Sequence, residues 1–403
     1  MADFFQNGPI ATLHNLRGRT VESLEEEMTT WRERAPMALV IPALYSELGR
    51  PALTTIVDEL EKVPYLEEII IGLDQADEAQ FNHAREFFDR LPQRTRIVWN
   101  DGPRMRSVQD ELRAAGLAPD NPGKGQNVWY CIGYFLASGR ATNMALHDAD
   151  IITYNRSMLA RLLYPVAHPT FGYAFSKGYY YRSGGGTMNG RVARLLVTPL
   201  IRALKQTLGP DEYLEYLDSF RYPLAGEFAM HINLVRPMRI PSDWGLEIGV
   251  LSEVHRRYTT ERICQVDIAD LYDHKHQDLS PDDASSGLHK MSIDIAKAMF
   301  RKLAINGAVF SPEVFRTIKA SYYRKGLDLV DHYQADATIN GLRHDRDGEE
   351  RAVELFAGAI IEAGDQFLNG PMETPFLPSW SRVMSALPEL PKMVYDAVEA
   401  DNS

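Results

Sequence analysis

The chain has 403 residues, 45% of them hydrophobic and 24% charged, with a formal charge of −12. These are the figures of a soluble globular protein with room for a large core, longer than one average domain and shorter than three. The acidic balance excludes a general affinity for nucleic acid, which needs a basic surface, while leaving space for a local basic pocket that takes a small anion. The two cysteines, Cys131 and Cys264, show neither metal-type spacing nor a disulfide framework, which fits a reducing compartment. No basic segment followed by an apolar signal core opens the chain, and no apolar run is long enough to span a bilayer. The expected location is the cytoplasm.

In chain order, Ala38–Leu44 is a short apolar run ending in a turn, and predicts a buried strand. Leu53–Val63 has helical periodicity. Glu68–Asp74 predicts a second strand that ends in a carboxylate, Ala79–Leu91 a helix, and Thr95–Trp99 a third strand. Gln126–Ser138 predicts a helix and Asn143–His147 the next strand. Strands alternating with helices imply a parallel sheet covered on both faces, with ligands outside the carboxyl ends of the strands. Asp74 and Asp148 both fall at such ends.

The pattern then changes. Phe171–Tyr181 is rich in aromatics and alternates weakly, as a strand of a mixed sheet would. Gly184-Gly185-Gly186 predicts a mobile loop, and Val192–Leu208 a helix. A polar, turn-rich break at Asp278–Gly287 separates an α/β region, residues 1–285, from a C-terminal region, residues 286–403. That second region reads as helix at Lys290–Leu303, Pro312–Tyr333 and Gly348–Leu368.

The segment that carries most chemistry is His147-Asp148-Ala149-Asp150. Two carboxylates one residue apart at a strand exit suit a hard divalent cation such as Mg²⁺ or Mn²⁺ held against a diphosphate. The plainer alternative is an acidic loop. Lys124, between two glycines, has the flexible ammonium that approaches phosphate oxygens, or is a solvated turn lysine. Glu247 stands among apolar residues in Trp244-Gly245-Leu246-Glu247-Ile248-Gly249, either as a site acid or as a hydrogen-bonding core residue. A second polar cluster, Asp273-His274-Lys275-His276, follows far downstream.

Taken in order, these pieces resemble the glucosyl-3-phosphoglycerate synthases, retaining glycosyltransferases with the GT-A fold. The matching segments are Pro42-Ala43-Leu44, Gly123-Lys124-Gly125 with Trp129, Asp148-Ala149-Asp150, Gly190-Arg191-Val192 with Pro199-Leu200, Gly226-Glu227, the Trp244–Gly249 segment and the cluster from Asp273 to His276. They cover roughly residues 38 to 280. The resemblance implies a Rossmann-like mixed sheet flanked by helices. It implies Pro42, Ala43, Leu44 and Glu47 at the nucleoside, Asp74 near the base, and Lys124, Asp148 and Ala149 at the diphosphate.

It also implies Asp150 and His274 as metal ligands, Glu227 and Glu247 at the sugar, and Gly190, Arg191 and His276 at the acceptor. The implied reaction moves glucose from an NDP-glucose, UDP-glucose first, to the 2-hydroxyl of 3-phosphoglycerate with Mg²⁺ or Mn²⁺, in a homodimer with no nucleic-acid or membrane partner. Where the family has a threonine two residues after the arginine, this chain has Ala193. Where it has an asparagine two after the histidine, this chain has His276. Both changes bear on the acceptor, so mannosyl transfer and a free glycerate acceptor stand as alternatives. Outside this class stands a non-catalytic nucleotide-sugar-binding protein. A sugar-phosphate nucleotidyltransferase would need a Gly-rich basic loop after the first strand, where this chain has Tyr45-Ser46-Glu47.

Overall fold

A computed structural model describes residues 6–119, 123–273, 287–371 and 376–403. Nine strands form one mixed sheet: β1 (Ala11–Leu13), β2 (Met37–Leu44), β3 (Leu66–Asp74), β4 (Arg94–Trp99), β5 (Asn143–Leu146), β6 (Phe175–Gly184), β7 (Thr187–Met188), β8 (Phe228–His231) and β9 (Ile263–Tyr272). The order is β1-β9-β6-β8-β5-β2-β3-β4, with β7 hairpinned onto β6. The predicted β2–β5 run is parallel throughout. The sheet as a whole is not, because β8 runs antiparallel to both β5 and β6. This is the mixed sheet flanked by helices expected of the GT-A fold.

Pro42 shows how the cleft opens. Proline cannot donate to a ladder and belongs where a strand has a free side. β5 pairs with β2 only from Met37 to Val40 and then ends. The last half of β2, Ile41–Leu44, therefore pairs with β3 alone, and Pro42 costs no hydrogen bond toward β5. The chain leaving β5 turns away at His147, whose N–H still donates to Val40 O at 3.1 Å. Asp148 and Asp150 follow in the gap so formed.

Apolar side chains cover both faces. The helices Val21–Trp31, Pro51–Leu60, Glu78–Phe88 and Arg156–Ala167 bury Met28, Ile56, Phe81 and Leu162 on one side. On the other, the Lys124–Ser138 helix buries Trp129 and Phe135 in the same cluster as Met299, Phe315, Tyr322, Phe356 and Trp380 from the C-terminal helices. Those helices, Gly287–Ile305, Pro312–Ile339, Arg346–Asn369, Trp380–Ala386 and Leu390–Asp401, include the three expected from periodicity, with longer ends. No helix among the described residues is long and apolar enough to cross a membrane.

One expectation is corrected. The glycine run is not a loose loop. Gly184 ends β6, Gly185 and Gly186 turn with φ of 59° and 75°, and β7 returns alongside. Arg343 fastens the turn from the C-terminal region: its guanidinium donates to Gly185 O at 2.7 Å and its N–H to Gly186 O at 2.8 Å.

Candidate active site

Lys124 begins its helix, with Gly123 as the cap. A cation in a helix's first turn opposes the helix dipole, so this position is not chosen for helix stability. Two carboxylates compensate: Nζ lies 2.6 Å from Asp148 Oδ1 and 3.2 Å from Glu247 Oε1. Asp148 comes from the exit of β5, and Glu247 from the first turn of the Leu246–Arg257 helix. Burial opposes the ammonium charge. The carboxylates of Asp148, Glu247 and Glu227 outweigh it and raise the lysine above its ordinary pKa. Three segments far apart in sequence thus meet at one ammonium.

Glu227 lies immediately behind. Its side chain is fully buried at the start of β8, where Tyr180 Oη donates to Oε2 and Tyr272 Oη to Oε1, both at 2.8 Å. The two tyrosine rings stack 3.7 Å apart. Burial and the nearby Asp148 raise the Glu227 pKa, while the two phenols and Lys124 work against that shift. Gly226 lets Asp148 approach: a Cβ at Gly226 would sit 2.5 Å from Asp148 Oδ2. Lys177, 1% exposed inside β6, donates to Ala225 O and fixes the segment from behind. Burial lowers its pKa to about 8, against the pull of Glu247 and Glu227.

The other acid of the pair, Asp150, is half-buried two residues after Asp148. The chain just beyond it is tied to the end of β9. Ile152 N–H donates to Asp273 O at 2.9 Å, and Asp273 N–H donates to Thr153 Oγ1 at 3.1 Å. Gly184 leaves room for the Asp273 carboxylate, since a Cβ there would be 2.2 Å from Asp273 Oδ2. His274 and His276 lie outside the described residues, but the residue before His274 is fastened beside the Asp148–Asp150 loop. Among the described residues no three His, Cys, Asp or Glu side chains form a metal cage. The donors present are carboxylate oxygens, the type a hard cation prefers. On that chemistry the residues fit a divalent ion.

The residues expected at the nucleoside occupy the ends of their strands. Pro42, Ala43 and Leu44 finish β2 and Asp74 finishes β3. Burial pushes Asp74 up to about 6, although Asn100 donates to it at 2.7 Å and Asn127 also hydrogen-bonds it. Gln75, next to it, has φ of 57°, a left-handed conformation that is costly for a side chain of its size. Ala149 is buried. Glu47 stands apart from the lysine cluster: it is buried in the turn after β2 and paired with Arg50 at 3.3 Å. His147, fully buried against Tyr154, is pushed by burial down to about 3 and stays neutral.

On the acceptor side, Gly190 has φ of 77° and Arg191 starts a π-helical turn, Val192–Val197, that runs into the Thr198–Leu208 helix. Such turns recur at functional sites. Arg194, inside that turn, donates to Asn189 O at 2.9 Å and holds Glu349 of the C-terminal region at 2.6 Å. Ala193 is buried and offers no hydroxyl.

The chain is 46% identical over 403 residues to the glucosyl-3-phosphoglycerate synthase of Persephonella marina, covering the whole of both chains. The chain belongs to the glucosyl-3-phosphoglycerate synthase family. The synthase of Methanococcoides burtonii is 39% identical over 403 residues, 99% of this chain and 98% of that one. No family model matches. Among solved structures, the Mycobacterium tuberculosis glucosyl-3-phosphoglycerate synthase with Mn²⁺, UDP-glucose and phosphoglyceric acid superposes with a TM-score of 0.54 at 21% identity, covering 73% of this chain and 88% of that one. At that identity the likeness speaks for the fold, which is GT-A. Family membership carries the enzyme class, a hexosyltransferase.

Several residues of the site escaped sequence reasoning: Lys177, Tyr180 and Tyr272. Only Lys177 left a trace, a lone lysine inside the apolar start of an otherwise buried strand.

Proposed function

We propose that the protein transfers glucose, with retention, from an NDP-glucose, foremost UDP-glucose, to the 2-hydroxyl of 3-phosphoglycerate. One observation carries the reading beyond the family. Lys124, Asp148, Glu247 and Glu227 converge where β5 stops short, and the Asp148–Asp150 loop is tied to the residue before His274. The names of the curated relatives and the ligands of the solved synthase supply the substrates.

In this reading Pro42, Ala43, Leu44 and Asp74 hold the nucleoside, and Lys124 exchanges its carboxylate partners for the donor diphosphate. Asp150 and His274 would hold the divalent cation, with Asp148 on the donor diphosphate beside it; when bound, the cation would neutralise charge on the departing diphosphate. Lys124 adds fixed positive charge at the same oxygens. Glu247 and the Gly226-Glu227 segment orient the glucose, with Glu227 itself fixed by Tyr180 and Tyr272. Gly190 N–H and Arg191 position the acceptor, and the family resemblance assigns His276 to the same role. The anomeric C–O bond to phosphate breaks as the acceptor oxygen bonds to the same face, and the departing phosphate takes the acceptor proton. No carboxylate is needed as a covalent nucleophile, so orientation and charge supply the catalysis.

The groups for donor and acceptor fall within residues 1–285, and residues 286–403 complete the core and brace the acceptor loop through Glu349. A cytoplasmic location accords with two free, buried thiols. A homodimer formed through the helical region is supported by exposed Ile305 and Val309, and light scattering of the purified chain tests it. The function itself is tested by incubating the protein with UDP-, GDP- and ADP-glucose against 3-phosphoglycerate and glycerate, with and without Mg²⁺, and identifying products by mass. Glucosyl-3-phosphoglycerate formed only with the metal is the expected result. UDP-glucose binding without transfer to any acceptor would point to a sensor instead.

A further inference from the structure

We propose that Arg182 binds the carboxylate of the acceptor and so makes the enzyme select a hydroxy acid over a simple phosphorylated alcohol. The inference rests on the acceptor reading above and goes beyond it. Arg182 ends the pleated part of β6, half-buried, and its Nη1 donates to Tyr222 Oη at 3.1 Å. Its Nε is sealed from solvent and has no acceptor. Its electrostatic neighbours are the phenols of Tyr222, Tyr180 and Tyr272, with no carboxylate among them.

Several other sheltered arginines are neutralised. Arg194 faces Glu349, Arg156 faces Glu22 and Glu25, and Arg94 and Arg96 share Glu399. A guanidinium held half-buried with no ion-pair partner among the described residues, and with an N–H that meets no acceptor among them, is poised for an anion that arrives from outside.

Its place says which anion. A Cβ on Gly190 would lie 3.6 Å from Arg182 Cδ and 3.3 Å from Tyr222 Oη, so Arg182, Tyr222 and the Gly190 backbone form one wall. Tyr222 packs 5.0 Å from Tyr180, whose hydroxyl holds Glu227. Arg182 therefore stands between the acceptor backbone and the acid of the sugar pocket. In 3-phosphoglycerate the reacting hydroxyl sits between a carboxylate on its neighbouring carbon and a phosphate on a longer arm. A cation on the sugar side meets the nearer group. Arg191 is left for the phosphate, and two planar forks at the two ends aim the hydroxyl between them.

The test compares wild type with Arg182→Met and Arg182→Lys. With 3-phosphoglycerate, Arg182→Met should raise KM by about 10- to 100-fold, the size of a lost charged hydrogen bond, while KM for UDP-glucose stays put. Lysine, lacking the fork, should restore only part. Glycerol 3-phosphate, which lacks the carboxylate, should bind wild type and Arg182→Met equally when its affinity is measured by calorimetry with UDP and Mg²⁺ present. Unchanged KM for 3-phosphoglycerate in Arg182→Met would overturn the proposal. So would an equal loss for glycerol 3-phosphate, which would place Arg182 on the phosphate, or a matching loss for UDP-glucose, which would mark structural damage. If wild type neither binds nor glucosylates 3-phosphoglycerate, the function reading fails first and takes this one with it.

Discussion

Lys124 Nζ lies 2.6 Å from Asp148 Oδ1, an ion pair between the start of a helix and the exit of a strand 24 positions later. In the protein without ligands this lysine is the counter-charge of an acidic cluster. In the proposed reaction Asp150 and His274 would hold the metal, and the Lys124 ammonium would turn from its carboxylate partners to the donor diphosphate. On that proposal one residue would serve stability in one state and charge neutralisation in the other.

Lys124→Met should therefore show two effects. Turnover with saturating UDP-glucose should fall by about 10²- to 10³-fold, as for loss of one fixed charge partner of a leaving group. The melting temperature without metal should also fall, and adding Mg²⁺ with UDP should stabilise the variant more than wild type. Differential scanning fluorimetry reads the second effect. A variant with wild-type response to Mg²⁺ would remove the counter-charge role.

Gly226→Ala tests the close approach behind the pair. The new methyl would stand 2.5 Å from Asp148 Oδ2 and push the carboxylate off its line. The fold should survive, because the clash meets the end of one side chain. KM for UDP-glucose should rise at least about tenfold, since misplacement of about 1 Å at a site can cost on the order of 10²-fold. Circular dichroism with steady-state kinetics separates this outcome from unfolding.

Much of the donor half was legible in the sequence. β2 to β5 are short apolar runs separated by periodic helices, and Asp74 and Asp148 sit at their predicted ends. The acceptor half was harder. β9 carries Gln265, Asp267 and Asp270 among its ten residues and is held by pairing with β6 and β1, so no local period announces it. β8 is four residues long, and β1 only three. The clamp on Glu227 joins β6, β8 and β9, and nothing within any one of them hints at the other two. The glycine run read as loose because the arginine that fastens it, Arg343, lies in another region of the chain.

Glu349 is the C-terminal region's grip on the acceptor loop. It is buried, binds Arg194 through both oxygens, and lies 3.0 Å from His344 Nε2. Arg194 in turn holds Asn189 O, next to Gly190 and Arg191. Glu349→Ala should destabilise the protein by about 3–5 kcal/mol, the cost of leaving a buried partner unpaired. The double change Arg194→Met, Glu349→Met should recover most of that stability. KM for 3-phosphoglycerate should nevertheless stay raised, because Asn189 has lost its tether. Recovery of KM along with stability would contradict the tether.

Donor binding should weaken in acid. Burial pushes Asp74 up to about 6, so the carboxylate at the base pocket is neutral below that pH and charged above it. An ionised carboxylate accepts a base N–H more strongly than a neutral carboxyl does, and KM for UDP-glucose should therefore rise as pH falls through about 6. The sign differs for folding: a raised carboxyl pKa makes the native state hold its proton more tightly, so between about 4 and 6 this group adds stability as pH falls. Loss of donor affinity in that window is thus not unfolding caused by Asp74. Asp74→Asn should flatten the KM profile, and an unchanged inflection in that variant would assign the titration elsewhere.

The central claim is that the exit of β5 and the end of β9 hold one cation between them. Mn²⁺ titrations in the presence of UDP, followed by electron paramagnetic resonance, test it on Asp150→Asn, His274→Ala and the double variant. Each single change should weaken Mn²⁺ binding at least about tenfold, already the cost of losing a group that only orients a metal ligand. The double change should cost clearly less than the sum, because the two residues serve one ion. Wild-type affinity in either single variant, or losses that simply add, would contradict the account.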